Sequence, residues 1–151
     1  MQFNVSKWKV MHVRKRKPRQ SYCTDNTGLK PVEVKKDLVI KITSDLKCSQ
    51  QCEYAYTKAN RVTGMIKKAL SYKEPKIMLN LYKTLVRPHV EYGSSAWNLY
   101  YKKEKELLKR IQHRYTKMIK DMRDRTYEDR LKCLRLWTLE ERRNRYDIIC
   151  L

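Results

Sequence analysis

The sequence predicts an α+β chain: a small antiparallel β-sheet with hairpins at the N-terminus, then a bundle of about five helices. Three observations lead there. Apolar residues before position 48 alternate or fall in short runs bounded by turn residues, as in short strands. From Ser49 onward the apolar period lengthens to about 3.6 residues. Pairs with capping-box spacing, Thr126 with Asp129 and Thr138 with Glu141, then punctuate the second half. These features divide the chain into residues 1–47 and residues 48–151.

Composition narrows the function classes. The 151 residues include 36 Lys and Arg against 16 Asp and Glu, a formal charge of +20. Such an excess repels itself unless a polyanion neutralises it, so nucleic acid is the expected partner. Hydrophobic content of 41%, with 11 tyrosines and three tryptophans, argues against disorder. Five irregularly spaced cysteines and no apolar N-terminal run indicate free thiols in a reducing compartment, nuclear or cytoplasmic. No window reaches the ~18–20 apolar residues of a membrane span, so no membrane partner is expected.

In the first segment, Lys9 to Val13, Tyr22 to Cys23, Val32 to Val34 and Leu38 to Ile42 read as strands, with a turn at Asn26–Gly28. Arg14, Lys15, Arg16, Lys17 and Arg19 cluster around Pro18. A run of this kind serves as a solvated loop, a phosphate contact or a nuclear-import signal.

In the second segment, Cys52, Tyr56, Ala59, Val62, Ile66 and Leu70 stripe the first helix. Ser71 and Glu74 have capping spacing, and Pro75 suits a first helical turn. A central helix is expected from about Pro75 to Trp97, with Leu81, Leu85, Pro88, Tyr92 and Ala96 on its core face and a kink near Arg87–Pro88. Gly93 to Ala96 offer a small-residue surface to another helix. The next helix carries Leu107, Leu108, Ile111, Tyr115, Met118 and Ile119 on its apolar stripe. Short helices are expected from Thr126 and from Thr138.

Five pieces of the chain, in order, carry a resemblance: the FNVSKWKVMHV opening, VKKDLVIKITSDLK, LYKTLVRPHVEY with AW, KKEKELLKRIQHRYTKMI, and the TLEERRNRYD ending. Together they resemble the region after the polymerase motifs in reverse transcriptases of non-LTR (LINE-type, jockey-like) retrotransposons. The resemblance implies a palm-end β-hairpin segment followed by a thumb-like helical domain. It places Lys7 near the incoming nucleotide's phosphates and the 34–47 hairpin against the primer strand. The chain departs from the family pattern where glycine is usual: Arg14, Val39, Arg135 and Tyr146 replace glycines, and Lys120–Asp121 replaces a Pro-Gly turn. Trp8 stands where the family has cysteine.

Polymerase chemistry needs carboxylates converging on two metal ions. The chain holds no adjacent Asp pair, and Asp121 with Asp124 or Glu128 with Asp129 read as caps or surface ions. By the family's order the catalytic motifs lie before Met1. The expectation is therefore a truncated, catalytically inactive remnant with no catalytic residue, no cofactor and no metal site. Cys48 and Cys52 stand four apart, but His12, His89 and His113 are scattered.

Binding remains. Lys7, Lys9, Arg14, Lys15, Arg16, Lys17 and Arg19 at the palm end, and Lys102, Lys103, Lys109, Arg110, Arg114 and Lys117 on one helix, are candidate phosphate contacts. Trp8, Tyr100 and Tyr101 are candidates either for base stacking or for packing against lysine stems. RNA or an RNA–DNA hybrid, held without sequence readout, is the expected ligand. Two alternatives stay open: a helical protein-interaction module whose charge has no nucleic-acid role, and the tail of a longer active polymerase.

Overall fold

The computed structural model describes residues 7–13, 20–24, 27–97 and 99–149. Among the described residues six short strands precede the helices, so the α+β class and the order of elements are as the sequence predicts. The chain divides into two compact units, residues 1–51 and 52–151.

In the first unit, β1 (Lys9–Val10) pairs with β4 (Lys30–Pro31) in parallel. The other two ladders are antiparallel: β2 (Cys23–Thr24) with β3 (Thr27–Gly28), and β5 (Val34–Asp37) with β6 (Ile40–Thr43). The expected strand at Lys9–Val13 thus pairs over two residues only, and Val32 lies between strands. The parallel pairing joins segments about twenty residues apart, which alternation alone does not reveal.

Asp37 opposes Ile40, so Leu38 and Val39 form a two-residue hairpin loop. Both have positive φ, 41° and 72°. Loops of this length favour residues such as Asn-Gly because both central positions are left-handed. A β-branched valine there crowds its own carbonyl. Val39 is therefore a strained turn residue and not part of the strand expected from Leu38 to Ile42. At the base of the hairpin, Thr43 Oγ1 donates to Asp45 Oδ1 at 2.6 Å.

In the second unit, α1 (Ser49–Ala69, its first turn in unit one) buries Cys52, Ala55, Ala59, Thr63 and Ile66 at steps of three and four. Its expected partners Tyr56, Val62 and Leu70 are half-buried. The central helix has three segments: α2 (Pro75–Leu81), a π turn (Tyr82–Val86) and α3 (Arg87–Glu91). Pro75 occupies the first turn as expected, but Glu74 is the N-cap without a side-chain bond, so Ser71 does not close a capping box.

The face expected to be buried is the wrong one. Leu85, Pro88, Tyr92 and Ala96 are exposed, while Met78, Tyr82, Val86 and Val90 form the core face, with Ser94 and Trp97 buried beyond them. Steps of four drift by about 40° each around a 3.6-residue helix. The π turn inserts one residue and resets the phase by about 100°, returning Val86 and Val90 to the core. It lies where the Pro88 ring would crowd the Thr84 carbonyl, and the Arg87 amide donates to Tyr82 O instead. The interruption thus falls ahead of Pro88 as a π turn. The helix ends at Glu91, Gly93 takes φ 62°, and a 3-10 turn (Ser94–Ala96) leads to buried Trp97.

α4 (Lys102–Lys117) buries Leu108, Ile111 and Tyr115, and α5 (Tyr127–Leu134) and α6 (Leu139–Ile149) pack on it. Counting the interrupted helix once gives five among the described residues. The capping box at Thr138 forms in full, and Thr126 caps α5 with the forward bond. Thr126 accepts from the Asp129 amide, and Thr138 and Glu141 bond each other's backbone amides at 2.9 and 3.2 Å.

α6 is docked by two arginines. Arg142 forms a fork with Glu91, Nε to Oε1 at 2.5 Å and Nη2 to Oε2 at 3.2 Å. Arg143 stacks 4.0 Å from the Trp97 ring and donates to the Val90 carbonyl. The small residues at Gly93–Ala96 do admit a helix, and it is α6.

Asp121 and Arg135 also have positive φ, 60° and 50°. Arg135 ends α5, its amide bonding Lys132 O while Leu136 bonds Leu131 O, a bonding pattern that glycine usually serves. Arg135→Gly is expected to stabilise the helical unit by about 1 kcal/mol, and Asp121→Gly by less, because Asp tolerates this region. Urea unfolding followed by helical circular dichroism checks the order. Val39→Gly should slow amide exchange across β5 and β6 by roughly tenfold, the equivalent of about 1.4 kcal/mol.

Candidate nucleic-acid interface

The helix α4 is two-sided. Its inner side is apolar at Leu108, Ile111 and Tyr115, but three polar residues, Glu104, Gln112 and Thr116, are also buried there. Gln112 explains its burial by satisfying both ends of its amide: Nε2 donates to the Trp137 carbonyl at 2.9 Å, and Oε1 accepts from the Tyr127 hydroxyl at 2.8 Å. Thr116 accepts from Arg130 Nε at 3.2 Å, and Arg130 Nη1 donates to the Arg125 carbonyl. Burial, then Glu128, pushes the Tyr127 phenol up to about 12, so it remains a donor at neutral pH. Burial likewise holds Tyr115 protonated, donating to Met78 O at 2.9 Å.

The outer side carries Lys102, Lys103, Lys109, Arg110, Arg114 and Lys117, all exposed. At 3.6 residues per turn they span about 140° of the helix circumference. The structure therefore gathers all six helical candidates on one face, with Glu106 and His113 among them. Arg114 is tethered to Asn60 Oδ1 of α1 at 3.4 Å, and Lys109 lies 5.1 Å over the Tyr127 ring. Lys105, turned to the side, pairs with Glu140 at 2.7 Å.

Two aromatics stand at the start of this face. Tyr100 is 87% exposed and Tyr101 53% exposed, with rings edge to face at 5.5 Å. Tyr100 is thus almost uncovered, and Tyr101 is about half covered. Lys7, Trp8 and Lys9 are exposed in the first unit. Arg14, Lys15, Arg16, Lys17 and Arg19 lie outside the described residues.

Two clefts among the described residues bear on the site. One of about 900 Å³ belongs to the first unit, and its lining includes Glu33, Asp45 and a single lysine, Lys47. The other, about 450 Å³, opens between the start of α4 and the first half of α6 and shares Lys102 and Lys109 with the basic face. Sequence reasoning did not find this cleft, because its walls come from residues 99–109, 127 and 138–144, which no local spacing connects. Among the described residues no group of three His, Cys, Asp or Glu side chains is placed to hold a metal ion. No described helix is long and apolar enough to cross a membrane.

Comparison with known proteins returned no matching family model, no matching curated protein and no matching solved structure.

His113 sits inside the basic face, its ring 5.3 Å from that of Tyr127. Partial burial, then the cations Arg130, Lys117 and Lys109, lower its pKa below the ordinary 6.5. Burial and Lys58 do the same to His89. The unfolded chain thus takes up these protons before the folded one does. The associated stability is full above the ordinary histidine value and falls as pH drops through it. The urea midpoint of the helical unit should therefore decrease between about pH 7.5 and about pH 5.5, and His113→Gln should flatten that decrease.

Proposed function

We propose that the helical unit grips the phosphate backbone of RNA or an RNA–DNA hybrid through the outer face of α4, without reading sequence. The single observation that carries this reading is the alignment of six exposed Lys and Arg side chains on that face. Spacing along one helix matches a row of charges to a row of phosphates, and each phosphate neutralised releases counterions. Exposed Tyr100 and Tyr101 at one end add flat surfaces on which bases stack.

The parent we propose is a non-LTR, jockey-like reverse transcriptase, of which this chain corresponds to the palm end and thumb. Supporting that reading, three positions where the family pattern has glycine, occupied here by Val39, Asp121 and Arg135, adopt positive φ. The backbone keeps a conformation that glycine suits although the glycine is gone. The role proposed for these residues is binding, and any polymerase chemistry would require carboxylates supplied from elsewhere.

A second reading, a protein-interaction module, is favoured by one observation: Ile77, Leu85 and Tyr92 are exposed along the central helix.

Salt dependence separates the two. Affinity for single-stranded RNA should fall linearly with salt on a log–log plot. Changing Lys103, Arg110 and Lys117 to Gln should reduce that slope by about two units, at roughly 0.7 per phosphate, and weaken binding at low salt by on the order of tenfold or more. Changing Lys67 and Lys68 of α1 to Gln should alter the slope by less than about one unit. Absence of RNA binding at low salt would leave the interaction module as the better account.

A further inference from the structure

We infer that the cleft between the start of α4 and α6 holds the base of an unpaired nucleotide, so that the ligand of the basic face is a single strand rather than a duplex. This rests on the nucleic-acid reading above and names the form of its ligand. The cleft and the basic face share Lys102 and Lys109, so a backbone lying along α4 passes its mouth. Tyr100 stands at that mouth, 87% exposed, with its ring 5.5 Å from Tyr101.

The lining suits a flat heterocycle better than a second phosphate. Leu99 and Leu139 give apolar walls, and Asn144 supplies an amide with both donors and an acceptor for a base edge. The charges partly cancel: Glu140 is held by Lys105 at 2.7 Å, and Glu106 is at the rim. A carboxylate there repels a phosphate but accepts from an exocyclic amine. A volume of about 450 Å³ lies in the range of small-molecule sites. A base paired within a duplex is stacked on its neighbours and cannot enter, whereas a base in a single strand enters without breaking a pair.

The test uses the whole chain, a fluorescently labelled oligo-cytidine RNA, whose base carries an exocyclic amine, and a blunt RNA duplex of the same length at low salt. Wild type should bind the single strand at least about fivefold more tightly, since a stacked base contributes about 1–3 kcal/mol. Tyr100→Ala, at a side chain exposed enough for folding to be indifferent, should remove most of that preference by weakening single-strand binding severalfold more than duplex binding. Oligonucleotides carrying 4-thiouridine should crosslink to cleft residues in wild type. Equal affinity of wild type for both RNAs, or a Tyr100→Ala effect that is the same on both or absent, overturns the cleft assignment while leaving backbone binding intact. Failure of wild type to bind either RNA overturns the underlying reading instead.

Discussion

A formal charge of +20 on 151 residues is the constraint that the rest of this structure answers. Repulsion of that size must be kept at the surface, and a helix with basic residues at most outward positions can satisfy it only if its inner side is well anchored. In α4 the anchoring is partly apolar and partly a neutral hydrogen-bond network. Gln112 and Tyr127 satisfy each other and the Trp137 carbonyl, tying α5 and the approach to α6 onto one helix. Neutral partners suit the place, because a buried ion pair would pay a desolvation cost that amides and phenols largely avoid. Arg130 is the exception. Buried against Thr116 and the Arg125 carbonyl, with the Tyr127 ring 5.9 Å away, it spreads its charge over neutral acceptors.

The second anchor uses cations structurally rather than displaying them. Arg142 and Arg143 lie side by side on α6, yet one forks onto Glu91 and the other covers Trp97. Guanidinium suits both tasks because it is planar, forms paired hydrogen bonds and stacks on indole faces. A count of basic residues therefore overstates the binding surface. These two lock α6 onto the corner at Gly93–Trp97, and the cleft above α4 exists because α6 is held there.

The sequence made local features legible and left non-local ones hidden. The period change at Ser49, the capping pairs at Thr126 and Thr138, and the α4 stripe at Leu108, Ile111 and Tyr115 appear as read, because each is set within one or two turns of chain. Leu107 and Met118 of that stripe, by contrast, are only half-buried, and Met118 and Ile119 lie past the end of α4. The central helix departs from its expected core face for a definite reason. It is apolar on two faces, and a π turn ahead of Pro88 shifts the phase so that Met78, Tyr82, Val86 and Val90 win the core from Leu85 and Tyr92. The β1–β4 pairing and the cleft depend on segments about twenty to forty-five residues apart, which no window contains. On α4 the six basic candidates were legible, whereas the burial of Glu104 was not.

The decisive measurement is lysine acetylation footprinting of the chain with and without single-stranded RNA, resolved by mass spectrometry. RNA should protect Lys102, Lys103, Lys109 and Lys117 while Lys67 and Lys68 on α1 remain as reactive as in the free chain. Uniform protection of all six lysines, or protection confined to α1, would contradict the assignment of the interface to α4.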